Sequence, residues 1–139
     1  MEPRAQVKML EASSAGAQHR WRTNWSIDNV GDAALEIFTA RLPHRRFRSK
    51  EKVFAPPVII APGGNGRLEI EARCSEPPGT EVENGFLILR VAHGTQQWLI
   101  LARLRVTIDD RRTPAAATEL ITVQRVGFSE TGKARDNDG

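Results

Sequence analysis

The amino-acid sequence predicts an all-β fold, an immunoglobulin-like antiparallel β-sandwich of seven to nine strands. Three observations carry that expectation. Apolar and polar residues alternate with period two through most of the chain. Turn-forming clusters recur roughly every 8–15 residues. No stretch places apolar residues at helical spacing over a useful length, and no internal repeat is present.

Met1–Ala12 holds an expected edge strand around Val7–Leu10, followed by a small-residue linker, Ser13–Gln18. In Arg20–Asn29, Trp21, Thr23, Trp25 and Ile27 alternate with polar neighbours, the pattern of a half-buried strand. The turn Asn29, Val30, Gly31, Asp32 follows, then a strand over Ala34–Ala40. Leu42–Phe54 reads as a basic insert. Val58–Ile60 forms a short strand closed by Pro62, Gly63, Gly64, Asn65 and Gly66. Arg67–Cys74 alternates again, with Leu68, Ile70, Ala72 and Cys74 on one side. Glu76–Gly85 is a polar loop before strands over Phe86–Ala92 and Thr95–Ile108. A two-residue turn at His93 and Gly94 sets Ala92 against Thr95, Leu87 against Ile100 and Leu89 against Trp98. Asp109–Ala117 is an expected loop, and Thr118–Phe128 a last strand. The expected domain spans residues 19–128, preceded by the edge strand and linker of 1–18 and followed by a disordered polar tail, 129–139.

A chain of 139 residues, 40% apolar and 27% charged, is large enough for one buried core and too apolar to be disordered throughout. No apolar run approaches the ~20 residues of a membrane helix, so no transmembrane segment is expected. Met1–Gln18 lacks the apolar core of a signal peptide, and the single cysteine, Cys74, excludes an internal disulfide. Both observations lead to the expectation of a reducing, cytoplasmic setting.

The run Trp25, Ser26, Ile27, Asp28, Asn29, Val30, Gly31, Asp32, then Leu35 and Ile37, resembles the opening of Hydin-type and major-sperm-protein-like immunoglobulin domains. Pro62–Gly63 before Leu68–Ile70, and Pro78–Gly79 before Phe86–Leu89, resemble later turns of such domains. The resemblance spans roughly Trp21 to Val106; the basic insert and the strand after Ile108 depart from it. It implies protein or lipid-headgroup binding without catalysis.

Charge is concentrated. Arg41, Arg45, Arg46, Arg48, Lys50 and Lys52 against Glu51 leave a twelve-residue segment at +5 in a chain of net +3. With His44 and Phe47 among them, these residues form a candidate site for phosphate or carboxylate, which arginine forks suit. The partner in that case is nucleic acid, anionic lipid or an acidic protein; the bland account is a solvated loop. A second candidate follows from strand parity. If Leu87, Leu89, Trp98 and Ile100 face the core, then Phe86, Ile88, Leu99 and Leu101 form an apolar strip on the other face. That strip suits a protein partner or a second copy of the chain, unless the basic insert or the C-terminal segment covers it.

Other residues carry less. The tryptophans read as core, and Cys74 as a buried, inert thiol. His19, His44 and His93 lack zinc spacing, Asp28–Asp32 lacks the EF-hand pattern, and the glycine-rich turn lacks a following lysine and helix. No cofactor, metal or catalytic constellation is expected. Arg103 and Arg105 are expected to pair with Glu69 and Glu71. The expected function is that of a non-catalytic protein-interaction module, with anion binding by the basic segment as the alternative.

Overall fold

The computed structural model describes residues 1–127. Ten strands follow one another: β1 (Ala5–Ser14), β2 (Arg20–Asn29), β3 (Leu35–Arg41), β4 (Pro43–His44), β5 (Phe47–Arg48), β6 (Lys52–Ile60), β7 (Asn65–Arg73), β8 (Glu81–His93), β9 (Gln96–Ile108) and β10 (Pro114–Arg125). Eight are long, and β4 and β5 have two residues each. They form two antiparallel five-stranded sheets, ordered β1-β2-β7-β5-β4 and β10-β9-β8-β3-β6. The fold is an all-β sandwich. The expected tail, 129–139, lies outside the described residues.

Alternation builds the core. Trp25 and Ile27 of β2 and Leu68, Ile70 and Ala72 of β7 face Leu35, Ile37, Leu87, Leu89, Ile100 and Leu104 of the second sheet, and all are buried. Trp98 is 7% exposed, whereas Trp21 is half-buried at the rim. Removing such side chains from water is worth about 1.5–3 kcal/mol each. Thr23, Trp25 and Asn29 pair their polar groups inside this layer, whereas the buried Trp98 Nε1 has no hydrogen-bond partner among the described residues. Thr23 Oγ1 donates to Ile70 O at 2.7 Å and accepts from Trp25 Nε1 at 2.8 Å. Asn29 Nδ2 donates to Ala33 O and Ile60 O, each at 2.9 Å, and its Oδ1 accepts from Gly31 N at 3.0 Å. One buried amide thus ties the end of β2 to the turn and to β6.

The sheets also meet at their margins. Gly66 of β7 lies under Ile60 of β6, where an added Cβ would sit 2.6 Å from Ile60 Cδ1. On the opposite side Thr118 Oγ1 of β10 donates to Val7 O of β1 at 2.8 Å. Both of those edge strands shift register there, β1 at Met9/Glu11 and β10 at Thr118/Leu120. Such bulges twist an edge out of the plane in which a foreign strand could add.

Several expectations need correction. The β8–β9 turn comprises Gly94 and Thr95, so His93 faces Gln96, Leu89 faces Ile100 and Val91 faces Trp98. Gly94 has φ +62°, as the first central residue of a type II′ turn requires, and so His93 remains in the strand, buried. The shift slides each partner by two residues and leaves every side chain on its expected face. Ser13 and Ser14 belong to β1, opposite Arg22 and Trp21, and not to a linker. β8 begins at Glu81, earlier than expected, and absorbs the excess in a register shift between Val82 and Gly85, where Asn84 has φ 60°. β10 begins at Pro114, so the preceding loop is shorter than Asp109–Ala117. Arg105 pairs with Glu119 and Glu81, and Arg103 with Glu119. Glu69 and Glu71 lie on the other sheet and are taken by Arg22 and Arg20.

Candidate anion-binding face

The basic segment is not a free loop. Leu42 and Phe47 are fully buried, which anchors it by on the order of 3–6 kcal/mol of apolar burial. Ser49 N donates to Leu42 O at 2.8 Å, and Leu42 N donates to Ser49 Oγ at 2.9 Å. Between these anchors, β4 and β5 form a tight hairpin in which Arg46 N donates to His44 Nδ1 at 3.0 Å. With Phe47 pointing inward, its strand neighbour Arg48 must point outward.

The outward face of the first sheet then acquires an unusual row. Arg20 of β2 is the Cα partner of Arg73 of β7, and Arg73 is the Cα partner of Arg48 of β5. Three arginines therefore stand side by side across three strands, where like charges repel. Arg20 meets Glu71 at 3.6 Å. Arg48 and Arg73 form no ion pair among the described residues.

Two concavities share Arg48 and Arg73. The first, about 400 Å³, adds His19, Arg45, Arg46 and Glu76 around the Cys74 corner. Here Arg46 Nη2 donates to Glu76 Oε1 at 2.6 Å. That hydrogen bond holds the Glu76 carboxyl below its ordinary range and raises Arg46 above its own. Arg46 is thus occupied, whereas Arg45, Arg48 and Arg73 have no ion-pair partner among the described residues. Cys74 is free and buried; burial pushes its thiol up, away from the nucleophilic thiolate form. The second concavity, a groove of about 750 Å³, runs from Arg48 and Arg73 along β7 past Lys50 and Lys52. In it Lys52 Nζ donates to Glu69 O at 2.8 Å and lies 5.6 Å from the Phe54 ring centre.

Of the residues expected from sequence, Arg45, Arg46 and Arg48 gather at the hollow, and Lys50 and Lys52 line the groove. His44 supports the hairpin. Arg41 is elsewhere, on the outward face of the second sheet beside Ile88 and Arg90. Sequence reasoning missed His19, Arg20 and Arg73. Alternation marks Arg20 and Arg73 as outward-facing, and only the pairing of β2 with β7 and β5 aligns them.

Known protein families and curated proteins give no match to this chain. Among the described residues no cluster of histidine, cysteine and carboxylate side chains is arranged to hold a metal ion. Among the described residues no helix is long and apolar enough to cross a membrane.

The second candidate surface is the outward face of the second sheet. Phe86, Ile88, Leu99 and Leu101 are all half-buried there. Ile88 faces Leu101 across the strands, whereas Leu99 faces Arg90 and Phe86 faces Arg103, so arginine stems interrupt the strip. A shallow hollow of about 250 Å³ lies over Ile88 and Leu99, rimmed by Arg41, Arg90, Glu51 and Val126. The basic insert lends Glu51 to this rim, and its apolar residues Leu42 and Phe47 go to the core.

Proposed function

We propose that this domain is a non-catalytic binding module that captures an anionic group, phosphate or carboxylate, on a partner. The observation that carries the reading is the row Arg20, Arg73, Arg48, in which two adjacent arginines have no carboxylate partner among the described residues while a further one, Arg45, lines the same hollow. Unpaired like charges held side by side are unfavourable in the free protein and favourable once an anion sits between them. Arginine suits the task because its planar fork binds such groups bidentately. The reading agrees with what the resemblance to Hydin-type and major-sperm-protein-like domains implies.

The test is thermal unfolding of the protein with inorganic phosphate. A ligand at tenfold its Kd adds about 1.4 kcal/mol, which is roughly 5 °C for a chain of this length. Arg48→Ser and Arg73→Thr should each abolish the shift, and Arg41→Ser should leave it intact. An equal phosphate response in wild type and Arg48→Ser/Arg73→Thr rejects the site.

A second reading rests on the half-exposed strip Phe86, Ile88, Leu99 and Leu101, flanked by Leu120 at 47% exposure. It is the surface for self-association or an apolar partner. Sedimentation equilibrium of wild type against Leu99→Glu tests the self-association form; a monomer at all concentrations removes it.

A further inference from the structure

The open side of β7 gives the anion site a direction and a class of partner. β7 is paired along its length with β2, but on its other side, among the described residues, only Arg73 has a strand partner, Arg48. Backbone groups of alternate residues point to opposite edges of a strand. Arg73 pairs toward β5, and the Glu69 carbonyl receives Lys52 Nζ on that same side. By the period of two, Arg67, Glu69 and Glu71 therefore turn their N–H and C=O groups to the open edge. The groove follows this edge over Glu69 and Glu71, beginning where β5 stops, and Arg67 continues the edge beyond it.

We propose that an extended peptide adds to β7 as a further strand along Arg67–Glu71, with a phosphate or carboxylate at one end seated among Arg45, Arg48 and Arg73. The inference rests on the anion reading above and extends it to the backbone. Five residues of open strand span about 16 Å, enough for a peptide of similar length. Main-chain bonds supply affinity in such additions, and side-chain contacts supply specificity. Lys52 now covers the edge, a common protection of unpaired strands. Its side chain is exposed and held there by one hydrogen bond and the face of the Phe54 ring, so it swings aside without disturbing the core.

The distribution of charge selects a peptide over a nucleic acid. The unpaired arginines stand at one end, while along the groove Lys50 and Lys52 are interspersed with the carboxylates of Glu51, Glu69 and Glu71. A single terminal anion fits the arginine end, whereas a continuous phosphate backbone would meet three carboxylates against two lysines along the rest of its path. Among the described residues none that lines the groove is aromatic, so these residues offer bases no stacking platform.

The experiment uses the full chain and a library of blocked hexapeptides of random sequence with one fixed N-terminal phosphoserine. A twin library is N-methylated at alternate amides, and inorganic phosphate and a single-stranded oligonucleotide serve as further probes. Amide exchange is read by NMR. The expected result is at least tenfold slower exchange at Glu69 and Glu71 with the peptides, no slowing with the methylated twin, and perturbation by phosphate confined to Arg45, Arg48, Arg73 and their neighbours. Glu71→Pro, which removes one edge donor at a position where proline is tolerated, should lose the peptide and keep the phosphate response. If that variant does not fold, the methylated twin on wild type still decides. Binding of phosphate without edge protection by any peptide overturns strand addition and leaves the anion site standing. So does equal binding of the methylated twin, or an oligonucleotide that binds more tightly than the peptides. Absence of any phosphate effect at Arg48 and Arg73 removes the anion site itself.

Discussion

Replacing Arg73 with threonine should make the free protein more stable. Arg73 stands between Arg20 and Arg48 in one row of the sheet. Cross-strand neighbours have Cβ atoms about 5 Å apart, and their guanidinium groups splay to roughly 7 Å. In water two unit charges at that distance repel by about 0.6 kcal/mol. The repulsion from Arg20 is partly offset by Glu71, 3.6 Å away, so most of the effect comes from Arg48. The gain is then about 0.5–1 kcal/mol at low salt, aided by the good strand propensity of threonine. For 139 residues this amounts to about 2–3 °C in Tm. Screening shortens the Debye length from about 10 Å at 0.1 M salt to about 3 Å at 1 M, so the gain should nearly vanish there. Urea or thermal unfolding of both proteins across this salt range measures it. Destabilisation by Arg73→Thr at low salt, or a gain indifferent to salt, refutes the view that the row is a strained cluster awaiting an anion.

Other substitutions probe the scaffold and the hollow. Thr23→Val keeps the volume but leaves Trp25 Nε1 without an acceptor in the core, and should lower stability by about 2–3 kcal/mol in urea unfolding. Asn29→Ala removes three hydrogen bonds and strands the Ile60 carbonyl; a loss of about 2–4 kcal/mol, with an unchanged m-value, is expected. Gly66→Ala forces Ile60 out of its place and should cost about 1–3 kcal/mol. Because Arg46 holds the Glu76 carboxyl below its ordinary value, the pair's stabilisation is fully present above the unfolded carboxylate pKa near ~4.3 and is lost as pH falls through the lower folded value. Glu76→Gln should therefore flatten the acid limb of Tm against pH and, by releasing Arg46, enlarge the thermal shift given by phosphate.

Strands were legible because burial in a two-sheet sandwich alternates. Arg20–Asn29 is a strand with the very bounds its pattern marks, and the inward set Leu68, Ile70 and Ala72 is buried as a period of two requires. Faces were also legible through the β8–β9 turn, since a displacement of two residues conserves parity. Partners were not. Arg103 and Arg105 meet Glu119, the residue left over where β10 shifts register, and no local pattern marks such a position. The arginine row escaped for the same reason: Arg20, Arg48 and Arg73 are far apart in sequence and become neighbours only through strand order. Gly66 reads as a turn glycine beside Gly63, yet only Gly63, with φ +78°, needs a left-handed backbone; Gly66 is required for the close approach of Ile60.

The basic segment matters less for its total charge than for how it is held. Six cations in twelve residues on a flexible loop would lose much conformational freedom on meeting a ligand. Here Leu42 and Phe47 are sunk in the core, Ser49 is doubly bonded to Leu42, and the chain between them is a short hairpin. The ordering of Arg45 and Arg48 is therefore part of folding, driven by apolar burial, before any partner arrives. The same crossing divides the charges: Arg41 departs to the second sheet, Arg46 is neutralised by Glu76, and Arg48 joins Arg73. A diffuse run of positive charge becomes a small fixed group at the mouth of a groove. Such an arrangement favours one anion in one position over a long polyanion, which is why the open edge of β7 beginning at that position is the place to look for the rest of the ligand.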